Sequence, residues 1–214
     1  PGIVYAEPCF AREAEWLFLE GLRRLQEPDG EALYLRLSTK PIDQGPFAAA
    51  VARRGEAGLR ADVLAGGFRL REPGPRGQGV VIAACGAIVP EALEAAELLA
   101  QEEGVEATVL CLSSPDRLYR GWRQERLRPL DDGSFPGRSH LEALVAPEER
   151  ETALVTVIDG ASHALSFLGA CLGMPTVSLG VDRFGQGGSQ PALYEAYGIS
   201  PDAIRTAALV ALSA

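Results

Sequence analysis

The stretch Val80-Val-Ile-Ala-Ala-Cys85, then Pro90-Glu-Ala-Leu-Glu-Ala-Ala-Glu-Leu-Leu-Ala-Gln-Glu102, then Val105-Glu-Ala-Thr-Val-Leu-Cys-Leu112 decides the fold. Val80–Cys85 is apolar at every position, which suits a strand covered on both faces. The middle segment repeats Ala and Leu at helical spacing, has Pro in its first turn and stops at Gly104, the punctuation of a helix. Val105–Leu112 is again a strand. Strand, helix, strand in this order predicts a parallel pair joined by a right-handed crossover.

Working outward, the alternation continues downstream. Ser114-Pro115-Asp116 opens a helix by the cap-then-Pro rule, and Arg128–Arg138, with Asp131-Asp132-Gly133 and Pro136-Gly137, is predicted to be a loop. A short helix at His140–Val145, a strand at Ala153–Ile158, a helix at His163–Leu172 ended by Gly173 and a strand at Thr176–Leu179 follow. Ser189-Gln190-Pro191 and Ser200-Pro201-Asp202 open two closing helices. The prediction for residues 79–214 is an α/β domain: a mostly parallel sheet with helices on both faces.

Upstream, Ile3–Ala6 is a strand candidate. Phe10, Ala14, Leu17, Phe18, Gly21, Leu22 and Leu25 recur at helical spacing, and Leu33, Leu35 and Leu37 alternate along a second strand. Residues 1–39 thus form a strand–helix–strand unit. Residues 40–78 have weak periodicity and frequent Pro, Gly and Arg; we expect a connecting segment with a short helix at Pro46–Arg53 and an edge strand at Phe68–Leu70.

A formal net charge of -9 excludes a phosphate-neutralising surface for nucleic acid. The longest apolar run, Val80–Val89, is too short to span a bilayer, and no leader-type pattern opens the chain, so we expect a cytoplasmic protein with no membrane partner. Cys9, Cys85, Cys111 and Cys171 stand singly among apolar neighbours, as buried reduced thiols do, without the spacing of a zinc site. The chain begins Pro1-Gly2-Ile3 and its one Met is Met174, which predicts truncation or processing.

Ligands of such sheets favour the crevice outside the carboxyl ends of the strands. Those ends carry Asp159-Gly-Ala-Ser-His163 and Gly180-Val-Asp-Arg183. Asp159 and His163, with Asp182 nearby, fit acid–base work or ligand binding; equally, Ser162 or Asp159 caps the helix and His163 stands in its first turn. Arg36, Asp43 and Gln44 fit contacts at the junction of the two units. Phe184-Gly-Gln-Gly-Gly-Ser189 matches no phosphate-binding fingerprint and suits a tight loop. No residue is assigned as catalytic, cofactor-binding or metal-binding.

One stretch goes further. Leu179-Gly-Val-Asp-Arg-Phe-Gly-Gln-Gly-Gly-Ser-Gln-Pro-Ala-Leu-Tyr-Glu-Ala-Tyr-Gly-Ile199 resembles the signature ending of the transketolase C-terminal domain, a Gly-x-Asp-x-Phe-Gly run followed by Leu-Tyr and a closing Gly-Ile. Ile82–Ala96 and Val155–Asp159 resemble earlier strands and helices of that domain. Ile3-Val-Tyr-Ala-Glu-Pro8 and Tyr34-Leu-Arg-Leu-Ser-Thr39 are similar to the end of the pyrimidine-binding domain of homodimeric pyruvate dehydrogenase decarboxylating components.

The resemblance implies the C-terminal part of a thiamine-diphosphate- and magnesium-dependent 2-oxoacid dehydrogenase. Such an enzyme decarboxylates the oxoacid on the cofactor and acylates the lipoyl group of a dihydrolipoyl acyltransferase. It also implies that the diphosphate-and-metal motif and the activating Glu lie outside this sequence. The isolated chain would then bind no cofactor, be inactive, and serve a structural, homodimer-forming role. Transketolases show Leu-Ser-Arg-Gln where this chain has Leu37-Ser-Thr-Lys40, so a phosphate-binding Arg is replaced by Thr39. The alternatives are a fragment of a sugar-phosphate-handling transketolase or synthase, and a small-ligand or regulatory module at Asp159, His163 and Asp182.

Overall fold

The computed structural model describes residues 2–75 and 79–213. The chain opens with β1 (Ile3–Ala6), α1 (Ala11–Arg24) and β2 (Ala32–Leu35). β1 and β2 pair in parallel as a separate two-stranded sheet, Ile3 opposite Ala32 and Ala6 opposite Leu35. Next come α2 (Gly45–Arg54), α3 (Glu56–Ala65) and β3 (Phe68–Arg71). The main unit runs β4 (Val80–Cys85), α4 (Val89–Leu98), β5 (Ala107–Leu112), α5 (Pro115–Asp132), α6 (His140–Leu144), β6 (Ala153–Ile158), α7 (His163–Leu172), β7 (Thr176–Leu179), α8 (Gln190–Tyr197) and α9 (Pro201–Leu212).

The sheet order is β3-β5-β4-β6-β7, parallel except for β3, which runs antiparallel along β5. Every residue of β4, β5 and β6 is buried, in keeping with apolar runs that only Thr108 and Thr156 interrupt. Alternate residues serve two cores. Val80, Ile82, Ala84, Val109 and Val155 face α4, α9 and the α1–α3 layer, where Phe10, Phe47 and Phe68 pack in series, the first pair tilted and the second edge to face. Val81, Ala83, Leu110 and Leu154 face α5, α6 and α7. The mostly parallel sheet with helices on both faces is the architecture read from the sequence.

Several details differ from the sequence reading. The 128–138 loop begins only at Gly133, because α5 continues through Pro129 to Asp132 and ends on the left-handed Gly133. Proline costs a helix its own N–H bond; so near the end, among strong helix formers, that loss is tolerated. The connecting segment contains the helix α3, whose apolar face is only Leu59 and Val63, too narrow a stripe to show as periodicity. Residues 76–78 of that segment lie outside the described residues. β2 stops at Leu35, and Leu37 is exposed. Neither Ser162 nor Asp159 caps α7: Ser162 has helical dihedrals and its side chain makes no cap bond.

The two sheets are fastened side to side. Along the outer edge of β1, the Tyr5 N–H donates to Asp116 (3.3 Å), the Ser114 hydroxyl donates to the Tyr5 carbonyl (2.5 Å) and Arg120 donates to the Ile3 carbonyl (2.7 Å). Just past β1, the Glu7 N–H donates to the Ser113 carbonyl at 2.8 Å. The start of α5 therefore occupies the polar groups that an edge strand otherwise leaves open.

Candidate functional site

The chain leaves β4 for β5 on one side and returns from β5 to β6 on the other, so the direction of winding reverses between β4 and β6. Ligand crevices of open α/β sheets form outside the carboxyl ends of strands at such a point. Here a cleft of about 440 Å³ lies there. Ala87 follows β4, Asp159 follows β6, Glu7 follows β1 and Arg36 follows β2, so the ends of four parallel strands from both sheets converge on it. Thr39, Lys40 and Gln190 complete the wall.

Arg36 and Glu7 form the floor. Arg36 Nη1 donates to Glu7 Oε1 at 2.5 Å, and Nη2 donates to the backbone carbonyl of Asp159 at 2.5 Å. Glu7 is buried, and the Tyr5 hydroxyl also donates to its carboxylate. Burial pushes the Glu7 pKa up against the pull of Tyr5 and Arg36. Burial alone would lower Arg36, but the carboxylates of Glu7 and Asp159 outweigh it and raise the guanidinium pKa. Gly86 makes room for this group: its φ is +70°, and a Cβ there would stand 2.3 Å from Glu7 Oε1.

Lys40 closes the other side. Its ammonium pairs with Glu91, donates to the Ala87 carbonyl (3.4 Å) and lies 5.4 Å from the centre of the Tyr194 ring. Gln190 Nε2 donates to the Tyr194 hydroxyl at 2.8 Å. Both cations of the cleft are thus engaged by protein carboxylates.

Of the four residues singled out in the sequence, Arg36 and Asp159 meet in this cleft, whereas His163 and Asp182 do not line it. Asp182 Oδ1 accepts the Ser162 N–H at 2.9 Å, and bonding from Ser162 holds its carboxyl below the usual range. His163 is exposed in the first turn of α7. Asp43 and Gln44 bond locally and to α1: Asp43 accepts from the Gly45 N–H and Gln44 from the Ala11 N–H. Glu7 and Glu91 were missed. The only sequence signal for Glu7 was a charged residue directly after an apolar strand, and Glu91 looked like an ordinary exposed helix position.

Among the described residues no three His, Cys, Asp or Glu side chains are grouped to hold a metal ion, and the cleft's two cations, Arg36 and Lys40, are paired with Glu7 and Glu91. The residues present do not fit a diphosphate–magnesium group, and no chemical step is assigned through one. No helix among the described residues is long and apolar enough to cross a membrane.

Fold and cleft define a switch-point α/β domain joined to a small parallel strand–helix–strand unit. Residues 66–200 match the family described as the transketolase-like TK C-terminal domain, and the chain belongs to that family. It is 27% identical over 220 residues to a pyruvate dehydrogenase E1 component of Mycolicibacterium smegmatis, covering 100% of this chain and 22% of the relative. It is 28% identical over 206 residues to a chromosomal transketolase of Cupriavidus necator, covering 96% of this chain and 25% of the relative. The chain therefore spans about a quarter of the length of these curated relatives. Among solved structures, a split gene transketolase, described as an inactive β4 tetramer, superposes with a TM-score of 0.65 at 22% identity, over 100% of this chain and 59% of that one. At that identity the likeness speaks for the fold.

Proposed function

We propose that this chain is the C-terminal part of a thiamine-diphosphate-dependent 2-oxoacid dehydrogenase decarboxylating component of the pyruvate dehydrogenase type. The holoenzyme would be a cytoplasmic homodimer that decarboxylates pyruvate and acylates the lipoyl group of a dihydrolipoyl acyltransferase. In this reading residues 1–39 end the pyrimidine-binding domain, 40–78 connect, and 79–214 form the C-terminal domain. Cofactor and magnesium are held by other domains, and this chain supplies one wall of the substrate cleft and part of the dimer surface. Asp159 and Arg36 serve the wall, while His163 and Asp182 lie on the adjoining strand-end surface.

The observation that carries the choice of substrate is the pairing of Arg36 with Glu7 and of Lys40 with Glu91. A phosphate ester needs an uncommitted guanidinium or ammonium group, and desolvating it against paired cations gains little. A short 2-oxoacid has no phosphate to place there. The relationship to pyruvate dehydrogenase E1, which covers the whole chain, supports the same choice.

The test uses the protein translated from the entire reading frame that contains this chain, supplied with thiamine diphosphate and magnesium. Release of carbon dioxide from pyruvate, with acetylation of a lipoyl domain, is expected. Ketol transfer between pentose phosphates without pyruvate turnover would replace this reading by the sugar-phosphate one.

A further inference from the structure

On the far side of the sheet from α4 and α9, three arginines from separate segments converge on one residue, one on its carboxylate and two on its backbone carbonyl. Arg126 comes from α5, Arg138 from the loop before α6, and Arg150 from the single-turn helix Glu148–Glu151; they line a shallow basin of about 410 Å³ with Pro136 and Gly137. The residue is Glu142. Its Oε1 accepts from Arg126 at 2.9 Å, and its Oε2 accepts the N–H (2.9 Å) and hydroxyl (2.8 Å) of Ser139. Burial opposes the charge on Glu142, but the bonds from Ser139 and the nearby Arg126 and Arg150 outweigh it and keep its pKa low.

Glu142 can neutralise only one of the three cations. Arg138 and Arg150 are bonded to carbonyls: Arg138 through Nε and Nη2 to Glu142 O at 3.2 and 2.9 Å, Arg150 through Nη2 to the same oxygen at 2.5 Å. A carbonyl orients a guanidinium without cancelling its charge. Arg150 Nε is shut off from solvent with no partner. Arg69, Arg120 and Arg205 are each closed by at least two carboxylates, whereas Arg117 and Arg183 are bonded, like Arg138 and Arg150, to carbonyls; what sets the basin apart is that such arginines stand together in it.

The basin is also held open. Glu125 pairs with Arg128 and accepts the Gly137 N–H at 3.0 Å, stapling the loop to α5 so that Arg138 stands opposite Arg126. A Cβ at Gly137 would come within 2.4 Å of Glu125 Oε2, so glycine lets the loop lie against Glu125 without displacing the end of that side chain. The arginines are thus pre-oriented, which reduces the ordering cost that a ligand would meet.

We propose that Arg126, Arg138 and Arg150 form an anion site for a phosphoryl group carried by a small molecule, separate from the cleft at the strand ends. Three guanidinium groups approaching from three directions match the oxygens of a tetrahedral phosphoryl group, whereas a planar carboxylate engages one fork at a time. The excess positive charge in a chain of net charge -9 focuses anions there.

The test is titration calorimetry on the full chain at constant ionic strength, with inorganic phosphate, ADP and pyruvate as separate ligands and the fold of each variant checked by circular dichroism. Saturable binding of phosphate or ADP below about 1 mM, with pyruvate at least tenfold weaker, is expected. Phosphate equal to ADP identifies a site for the phosphoryl group alone, and tighter ADP a nucleotide, both within the proposal. Arg126→Gln, which removes an ion pair with Glu142 and a contact over the Trp122 ring but no backbone bond, should weaken binding about tenfold, and Arg150→Gln at least as much. If Arg138→Gln or Arg150→Gln loosens α6, the Arg126→Gln result stands on its own. Absence of saturable heat up to 10 mM phosphate, or unchanged affinity in folded Arg126→Gln, overturns the proposal.

Discussion

Arg36 ties the small sheet to the large one: its guanidinium holds Glu7 Oε1 at 2.5 Å on its own side and the carbonyl of Asp159, at the end of β6, at 2.5 Å on the other. Glu7 is buried while Arg36 is partly open to solvent, so removing either partner leaves unequal damage. Arg36→Ala strands a buried carboxylate whose remaining partner is Tyr5. Loss of a fully buried pair costs about 3–5 kcal/mol; with Arg36 41% exposed, about 1–3 kcal/mol is expected after screening. At about 2–4 °C per kcal/mol for a chain of this size, thermal melting should read a drop of several degrees. Glu7→Gln, which keeps an acceptor for Arg36, should cost less than Arg36→Ala. The reverse order would show that the pair does not hold the junction.

Gly86 is expected to be intolerant of a side chain for two additive reasons. Its φ of +70° disfavours L residues by about 1–2 kcal/mol, and a Cβ would press on the Glu7 carboxylate at 2.3 Å. Gly86→Ala should therefore lower stability by more than Gly133→Ala, where φ is also +70° but nothing stands within 4 Å. Equal losses in chemical denaturation would mean that Glu7 yields freely.

Lys40 and Glu91 form the second closed pair of the cleft, and Glu91 Oε2 is buried without a partner. Glu91→Gln leaves Lys40 with carbonyl and ring neighbours only. We expect the variant to gain affinity for a pentose phosphate by roughly tenfold, about 1.4 kcal/mol, with Lys40→Ala abolishing the gain. No change in ribose 5-phosphate binding by calorimetry would remove charge pairing as a ground for the proposed choice of a non-phosphorylated substrate.

The apolar runs of β4, β5 and β6 made the sheet legible, because a strand buried on both faces has no other composition available. The cleft was half legible. Asp159 follows a strand that could be recognised, so its place at a sheet end followed. Arg36 read as a junction contact within a strand through Leu37, and β2 in fact ends one residue before it. That Arg36 reaches Asp159 from a different sheet depends on how the two units dock, and Glu91 acts only because Lys40, 51 residues away, folds over the start of α4. The sequence marks Arg36 only as a junction contact without its partner, and carries no trace of the Lys40–Glu91 pair. His163 and Asp182 share the strand ends with Asp159, and Asp182 accepts the Ser162 N–H beside His163, but neither lines the cleft.

The outer face of α1 yields another expectation. Phe18, Leu22 and Leu25 recur at helical spacing and are exposed at 52%, 44% and 57%. If this stripe belongs to a subunit contact, sedimentation should show a concentration-dependent dimer that Phe18→Asp with Leu22→Asp dissociates without loss of helix. A monomer at every concentration would assign the dimer surface of the proposed holoenzyme to other segments.

The last expectation concerns Glu13, a carboxyl wholly buried at the start of α1. It accepts the N–H groups of Cys9 (2.9 Å) and Phe10 (3.1 Å) and lies 4.0 Å from the Cys111 sulfur. Burial pushes its pKa up to about 7, against the pull of the two N–H bonds, from an unfolded value of 4.5. Between those values the folded state holds a proton that the unfolded chain has released, so stability falls as pH rises through this window and levels off above about 7. The loss should amount to about 3 kcal/mol. Glu13→Gln keeps an acceptor for both N–H groups and cannot ionise. It should therefore match the wild type near pH 4.5 and exceed it at pH 8, with a nearly flat profile between. Urea denaturation of both proteins at several pH values is the measurement. Parallel profiles would mean that Glu13 is charged in the folded protein throughout, and that its N–H bonds outweigh its burial.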